Sequence, residues 1–201
     1  MDNWEIKGKP ALVIVHMQRG VIAEDDKSVF RELVETTKRS GIITRQQALL
    51  EGFRRKKLPV IYIVAALPEH VTTFPAYGKF WELMESVRPN PSGSRDVEVV
   101  PELTPQPGEP VLGNWPIGGF SNTNLEQILK DYNAETLVLV GVATEHAVLA
   151  TTLQAADLGY SAIVPSDAST SANARAHELV MSAILPGISL TTTTEDVLAH
   201  I

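Results

Sequence analysis

The chain has 201 residues, 44% of them hydrophobic, which is enough for a sizeable core and excludes a disordered chain. Its formal net charge of −7, from 17 basic and 24 acidic residues, argues against non-specific binding to a phosphate backbone. There is no cysteine, which excludes disulfides, thiolate metal sites and cysteine nucleophiles together.

Pro10 leads into an apolar run over 11–15 typical of a buried parallel strand, with His16, Met17 and Gln18 at its C-terminal end. Ile43, Ala48, Leu49 and Phe53 recur at helical spacing and predict a helix over 40–57. Its basic end, Arg54-Arg55-Lys56-Lys57, is explained by cations offsetting the helix dipole rather than by a nucleic-acid patch. A second strand follows over 59–65. Residues 67–79 and 88–94 read as loops, and the prolines of 101–110 exclude a regular helix there.

Val97–Val100 and Val111-Leu112 predict short extended pieces, the latter ending at Asn114-Trp115-Pro116. Ser121 or Asn122 can cap a helix to about Tyr132, with Leu125, Ile128 and Leu129 as its apolar stripe. A strand over 136–140 turns at Gly141 into a helix over 146–158, with Val148, Leu149, Leu153 and Ala156 facing inward and Gly159 closing it. Strand 160–164, a helix over 172–185, strand 188–192 and a terminal helix over 194–201 complete the order. Strands alternate with helices throughout, which predicts one domain over 1–201, a three-layer αβα sandwich with a mostly parallel central sheet. The N-terminus lacks a signal-peptide pattern, and no apolar run approaches the roughly 20 residues that span a bilayer. The expected setting is cytoplasmic, without a membrane.

Four stretches carry a resemblance to the isochorismatase-like (cysteine hydrolase) family. Leu12–Gln18 looks like its first strand, which normally ends in Asp-Met-Gln or Asp-x-Gln. Asn114–Phe120 with Thr123 and Leu125 is similar to its Lys-x5-Phe-x-x-Thr-x-Leu segment. Gly141–Val148 resembles its Gly-x-x-Thr-Asp-x-Cys-Val corner. Gly159 to Ala168, with His177 beyond, resembles the region that follows. The departures fall on the chemistry. The resemblance puts His16 where the family's amide hydrolases carry Asp, Asn114 where they carry Lys, and Ala147 where they carry the nucleophilic Cys. Alanine cannot attack, so covalent catalysis through residue 147 is excluded. Isochorismatases of the family also work without the cysteine, but with the Asp as acid.

The catalytic candidates are therefore His16, Asn114 and His146. An imidazole at the rim of a parallel sheet can serve as acid or base, and His16 is expected to titrate between about pH 5.5 and 7.5. Its alternative is a buried histidine bonded to backbone. His146 adjoins Ala147 and faces either the pocket or the neighbouring helix, while Glu145 reads as a helix-dipole partner. The resemblance implies an oxyanion site from the amides of Ala143 and Ala147, with the Val142–Ala143 peptide often cis in the family. Gln18 completes the first-strand motif, and Tyr77, Trp81, Trp115 and Phe120 are candidates for an aromatic pocket, with ordinary core as the alternative. His70 stands alone after the second strand, so no metal and no other cofactor is expected.

Two functions stay open. One is a hydrolase or lyase of a small carboxylated or carbonyl compound working by noncovalent acid–base catalysis. The other is an inactive family member retained as a small-molecule binder or partner subunit, with a purely structural oligomer component as a third option. In each case a homo-oligomer is expected, and no nucleic-acid partner.

Overall fold

The computed structural model describes residues 4–23, 29–115 and 117–201. Seven strands form one sheet: β1 (Lys9–Val15), β2 (Val60–Ala65), β3 (Val111–Asn114), β4 (Ala134–Val142), β5 (Ser161–Pro165), β6 (Ser169–Thr170) and β7 (Leu190–Thr192). Their order is β3-β2-β1-β4-β5-β7, with β6 paired to the end of β4, and every pairing is parallel.

The apolar runs are continuous because the central strands are covered on both faces. Along β1, Leu12 and Ile14 enter one buried cluster while Ala11, Val13 and Val15 enter the other. The first cluster packs against α3 (Ile42–Arg55), through Ile42, Leu49 and Phe53, and against α8 (Thr194–His200), through Val197. The second packs against Leu125 and Leu129 of α5 (Leu125–Asp131) and Ala155 of α6 (Leu149–Asp157). The result is a helix layer on each side of a parallel sheet, as the alternation of elements predicts.

Several elements differ from the sequence reading. A short helix, α1 (Arg19–Ile22), and α2 (Arg31–Ser40) precede α3, and α2 buries only Leu33, Val34 and Thr37, too sparse a stripe to announce itself. Gly41, at φ 68°, ends α2 and begins α3, a left-handed corner that suits glycine. A further helix, α4 (Lys79–Val87), occupies residues read partly as loop. The extended piece at 97–100 is a turn followed by one antiparallel bridge from Val99 to Gln18. The proline-rich connection contains one 3₁₀ turn at Pro101–Leu103 and is clamped to α3 by a two-pronged ion pair. In that clamp Arg54 Nε and Nη2 donate to Glu109 Oε1 and Oε2 at 2.8 and 2.7 Å. Leu153, expected inward, is 44% exposed. A π-type turn over Thr144–Val148 precedes α6 and shifts the helical phase, so Thr151, Thr152 and Ala155 take the inner face. The helix expected over 172–185 is α7 (Ala174–Leu179), continued by a second π-type turn, Val180–Ile184, and a 3₁₀ turn.

Candidate active site

The chain builds β1, β2 and β3 toward one edge and then returns to place β4 on the other side of β1. The crevice outside the C-terminal ends of β1 and β4 is the switch point at which parallel α/β sheets bind ligands. A cavity of about 890 Å³ opens there, lined by residues that include His16, Trp115, Ala143, His146 and Ala147.

His16 follows the last residue of β1. Its amide donates to the Ile63 carbonyl at 2.8 Å, and its φ of 55° turns the chain out of the sheet. Histidine, like Asn and Asp, is among the few non-glycine types that tolerate this region. Its Nε2 lies 2.8 Å from Oδ1 of Asn114, at the end of β3. The Asn114 amide nitrogen donates to the carbonyls of Ile117 and Gly118 at 3.2 and 3.1 Å, which assigns its oxygen to His16. Nε2 must then carry the proton, and Nδ1 keeps the lone pair of a neutral imidazole. Burial lowers the His16 pKa to about 4, and the Asn114 hydrogen bond opposes that only in part. The expected titration between pH 5.5 and 7.5 is therefore corrected: near neutral pH His16 is unprotonated.

The β4–α6 corner forms the opposite wall. Gly141, at φ 133°, presses against β1 so closely that a Cβ there would overlap the Val15 carbonyl. The Val142–Ala143 peptide is cis. The Ala143 carbonyl accepts from the amides of His146 and Val148 at 3.2 and 3.3 Å, which sets the wide turn. Thr144 is buried and its hydroxyl sits 2.8 Å from Nδ1 of His177 on α7, tying the corner to its neighbour helix. Burial also holds the His177 pKa below the ordinary histidine value, with the Glu145 charge acting in the other direction. Glu145 lines the cavity, with Oε1 3.8 Å from His146 Nδ1.

A row of aromatic rings stands beside the cavity, with Trp115 and Phe80 in its lining. Phe74 meets Trp115 at 5.1 Å, Trp115 meets Trp81 at 5.8 Å, Trp81 meets Phe80 at 4.9 Å, and Phe80 meets His146 at 5.2 Å. Edge-on and tilted contacts at these separations add to the burial of the rings and hold α4 over the corner.

The remaining candidates lie elsewhere. Gln18 is buried, but its side chain is committed to backbone: Nε2 donates to the Ala65 and Asp96 carbonyls at 2.8 and 3.1 Å, and Oε1 accepts from the Ala65 amide. It fixes the loop beside His16 rather than meeting the cavity. Trp81 backs Phe80 without joining the lining, and Tyr77 is 90% exposed. Phe120 packs toward Tyr160 at 6.2 Å, against the helix layer of α5 and α6. His70 is exposed, and among the described residues no group of three or more His, Asp or Glu could hold a metal ion. Among the lining residues that escaped the sequence reading are Lys79 and Phe80 on α4. Their signal was present: Phe80, Leu83, Met84 and Val87 repeat at helical spacing.

A parallel sheet between helix layers, with a cavity at the β1–β4 switch point lined by His16 and backed by Asn114, defines an α/β domain with a ligand-sized site at the switch point of its sheet. The isochorismatase domain model matches residues 10–196, and the chain belongs to that family. YwoC, an isochorismatase family protein of Bacillus subtilis, is 26% identical over 198 residues, covering 96% of this chain and 94% of that protein. The structure of a cysteine hydrolase from Pseudomonas syringae pv. phaseolicola superposes with a TM-score of 0.85 at 21% identity, covering 98% and 95% of the two chains. That of N-carbamoylsarcosine amidase from Thermoplasma acidophilum gives 0.71 at 25% identity, covering 93% and 97%.

Proposed function

We propose that this protein is a noncovalent hydrolase of a small carbonyl or carboxylated compound, with His16 as its base. The observation that carries the reading is the His16–Asn114 pair, which fixes one tautomer of an imidazole that lines the cavity. Nδ1 is left to accept a proton, because Nε2–H is spent on Asn114. A water gives Nδ1 its proton as its oxygen bonds to the substrate carbonyl carbon, and the carbonyl electron pair moves onto oxygen. The amides of Ala143 and Ala147 are the donors proposed to hold that oxyanion. Collapse returns the pair, breaks the bond to the leaving group, and sends the proton from Nδ1 to it. Asn114 is then a positioning residue, and His146, which lines the cavity, is the residue we assign to the leaving group. No acyl-enzyme forms, since Ala147 supplies no nucleophile.

The test is a turnover screen of small esters and amides with the wild type and His16→Asn. Asparagine tolerates the positive φ but cannot take the proton. Loss of turnover in the variant, with no acyl adduct by intact mass in the wild type, supports the reading. Equal turnover in both proteins sinks it.

A second reading, an inactive binder, is favoured by one observation: every polar atom of the Asn114 side chain is engaged within the protein. Ligand binding with no turnover of any ligand would select it. The proposal extends to a cytoplasmic homo-oligomer with a small-molecule ligand and without nucleic acid or membrane. The exposed Leu153, Leu158, Leu179 and Ile184 support association, and the charge of −7 supports the absence of nucleic acid. Among the described residues no helix is long and apolar enough to cross a membrane.

A further inference from the structure

Asn90 joins the cavity lining. Its carbonyl accepts from the Leu67 amide at 2.9 Å, and Leu67, just past the end of β2, forms a parallel bridge with Pro91. The strand order β2-β1-β4 therefore puts Asn90 to one side of His16 and the amides of Ala143 and Ala147 to the other. A φ of 55° explains why asparagine is tolerated at this position. It does not explain the side chain, which is only 5% exposed and makes no hydrogen bond among the described residues. Burying an amide without partners costs free energy unless something else meets it. Oδ1 is enclosed against Gly20 of α1, in the space that a Cβ there would take, and a Cα–H neighbour assigns this end to the oxygen. Nδ2 is the end left to face the cavity, with two N–H donors unused.

We infer that Asn90 is a specificity-determining residue whose side-chain amide donates to a hydrogen-bond acceptor on the ligand, so that the ligand carries a second acceptor besides the carbonyl that reacts. The inference rests on the cavity being the substrate site, as proposed above, and deepens that reading by stating what the substrate must carry. Adjacent strands lie about 4.8 Å apart, so β2 and β4 stand roughly 10 Å apart on either side of β1. One acceptor atom cannot serve both the oxyanion amides at the end of β4 and the Asn90 amide beyond β2. A ligand with acceptors at both ends can, and its body then crosses the end of β1, where His16 stands. Asn90 touches no reacting atom in this arrangement. It holds the far end of the ligand and fixes its direction.

NMR titration of 1,4-diacetylbenzene and of 4-isopropylacetophenone, which keeps the length and replaces one acetyl group by isopropyl, tests this on the wild type, Asn90→Gly and Asn90→Asp. Both substitutions tolerate the positive φ, and neither side chain donates at neutral pH. The side-chain amide signals of Asn90 in the wild type are expected to shift as the diketone binds. In either variant the diketone should lose about fivefold in affinity relative to the monoketone, the scale of one neutral hydrogen bond. Taking the ratio of the two ligands removes any general effect of the substitution on the cavity, and the amide shift is read on the wild type alone. Amide signals unmoved by the diketone, an affinity ratio unchanged in both variants, or no binding of either probe overturns the inference. Diketone binding through Asn90 in a protein that hydrolyses nothing sinks the proposed hydrolysis and leaves the inference standing. A working hydrolase whose choice among esters is indifferent to Asn90→Gly does the reverse.

Discussion

The buried neutral histidine makes a quantitative prediction about acid stability. In the unfolded chain an imidazole takes its proton near pH 6.5, whereas burial holds His16 to about 4 in the folded protein. Between those values the unfolded state binds more protons, so stability falls as pH drops through this window and is unaffected by His16 above it. Each pKa unit corresponds to about 1.4 kcal/mol, so the full loss is about 3 kcal/mol, of which about 2 kcal/mol is reached by about pH 5. Urea unfolding of the wild type and His16→Asn at pH 7 and pH 5 isolates the contribution. His177, whose pKa is also lowered, adds an acid-dependent loss of the same sign, but it is common to both proteins and cancels in the comparison. The wild type should lose about 2 kcal/mol more than the variant over that interval. An equal loss in both would refute the claim that His16 is held neutral by burial.

Other predictions concern the same frame. Asn114→Leu removes the acceptor that raises the His16 pKa and strands two carbonyls, so the imidazole should titrate lower still by NMR, with a stability loss of about 2 kcal/mol. Glu109→Gln weakens the clamp on the proline-rich connection, and chemical denaturation should show a loss of about 1–2 kcal/mol with little effect on ligand affinity. Gly141→Ala forces a Cβ into the Val15 carbonyl at a positive φ, and should leave little folded protein by circular dichroism. Activity, where a substrate is found, should stay level from about pH 6 to 8 and fall below about pH 5 as His16 takes up its proton.

The sheet was legible because its strands are apolar on both faces. The runs at 11–15, 59–65 and 136–140 stand out whatever surrounds them. Helix α2 was not legible, since it buries only three side chains, whereas α4 does carry a stripe at helical spacing, Phe80, Leu83, Met84 and Val87, between two loop-like segments. Loss of α4 from the sequence reading had a direct cost at the site. It drew attention to Trp81 and Tyr77, whereas the helical phase presents Lys79 and Phe80 to the cavity. Leu153 was misplaced for a similar reason, because a single π-type turn changes which residues face inward and has no marker in the residue pattern. His16, Asn114 and Ala147 were found through their motif positions. What those positions do not carry is electrostatics: only the depth of burial and the orientation of the Asn114 amide reveal which imidazole nitrogen is open and at what pH.

The most direct measurement is the pH dependence of kcat/KM for the best compound from a turnover screen, in the wild type and His16→Asn. A neutral His16 acting as base gives a wild-type acid limb with a midpoint near pH 4, and the variant loses turnover at every pH. A midpoint near 6.5, or a variant as active as the wild type, contradicts it.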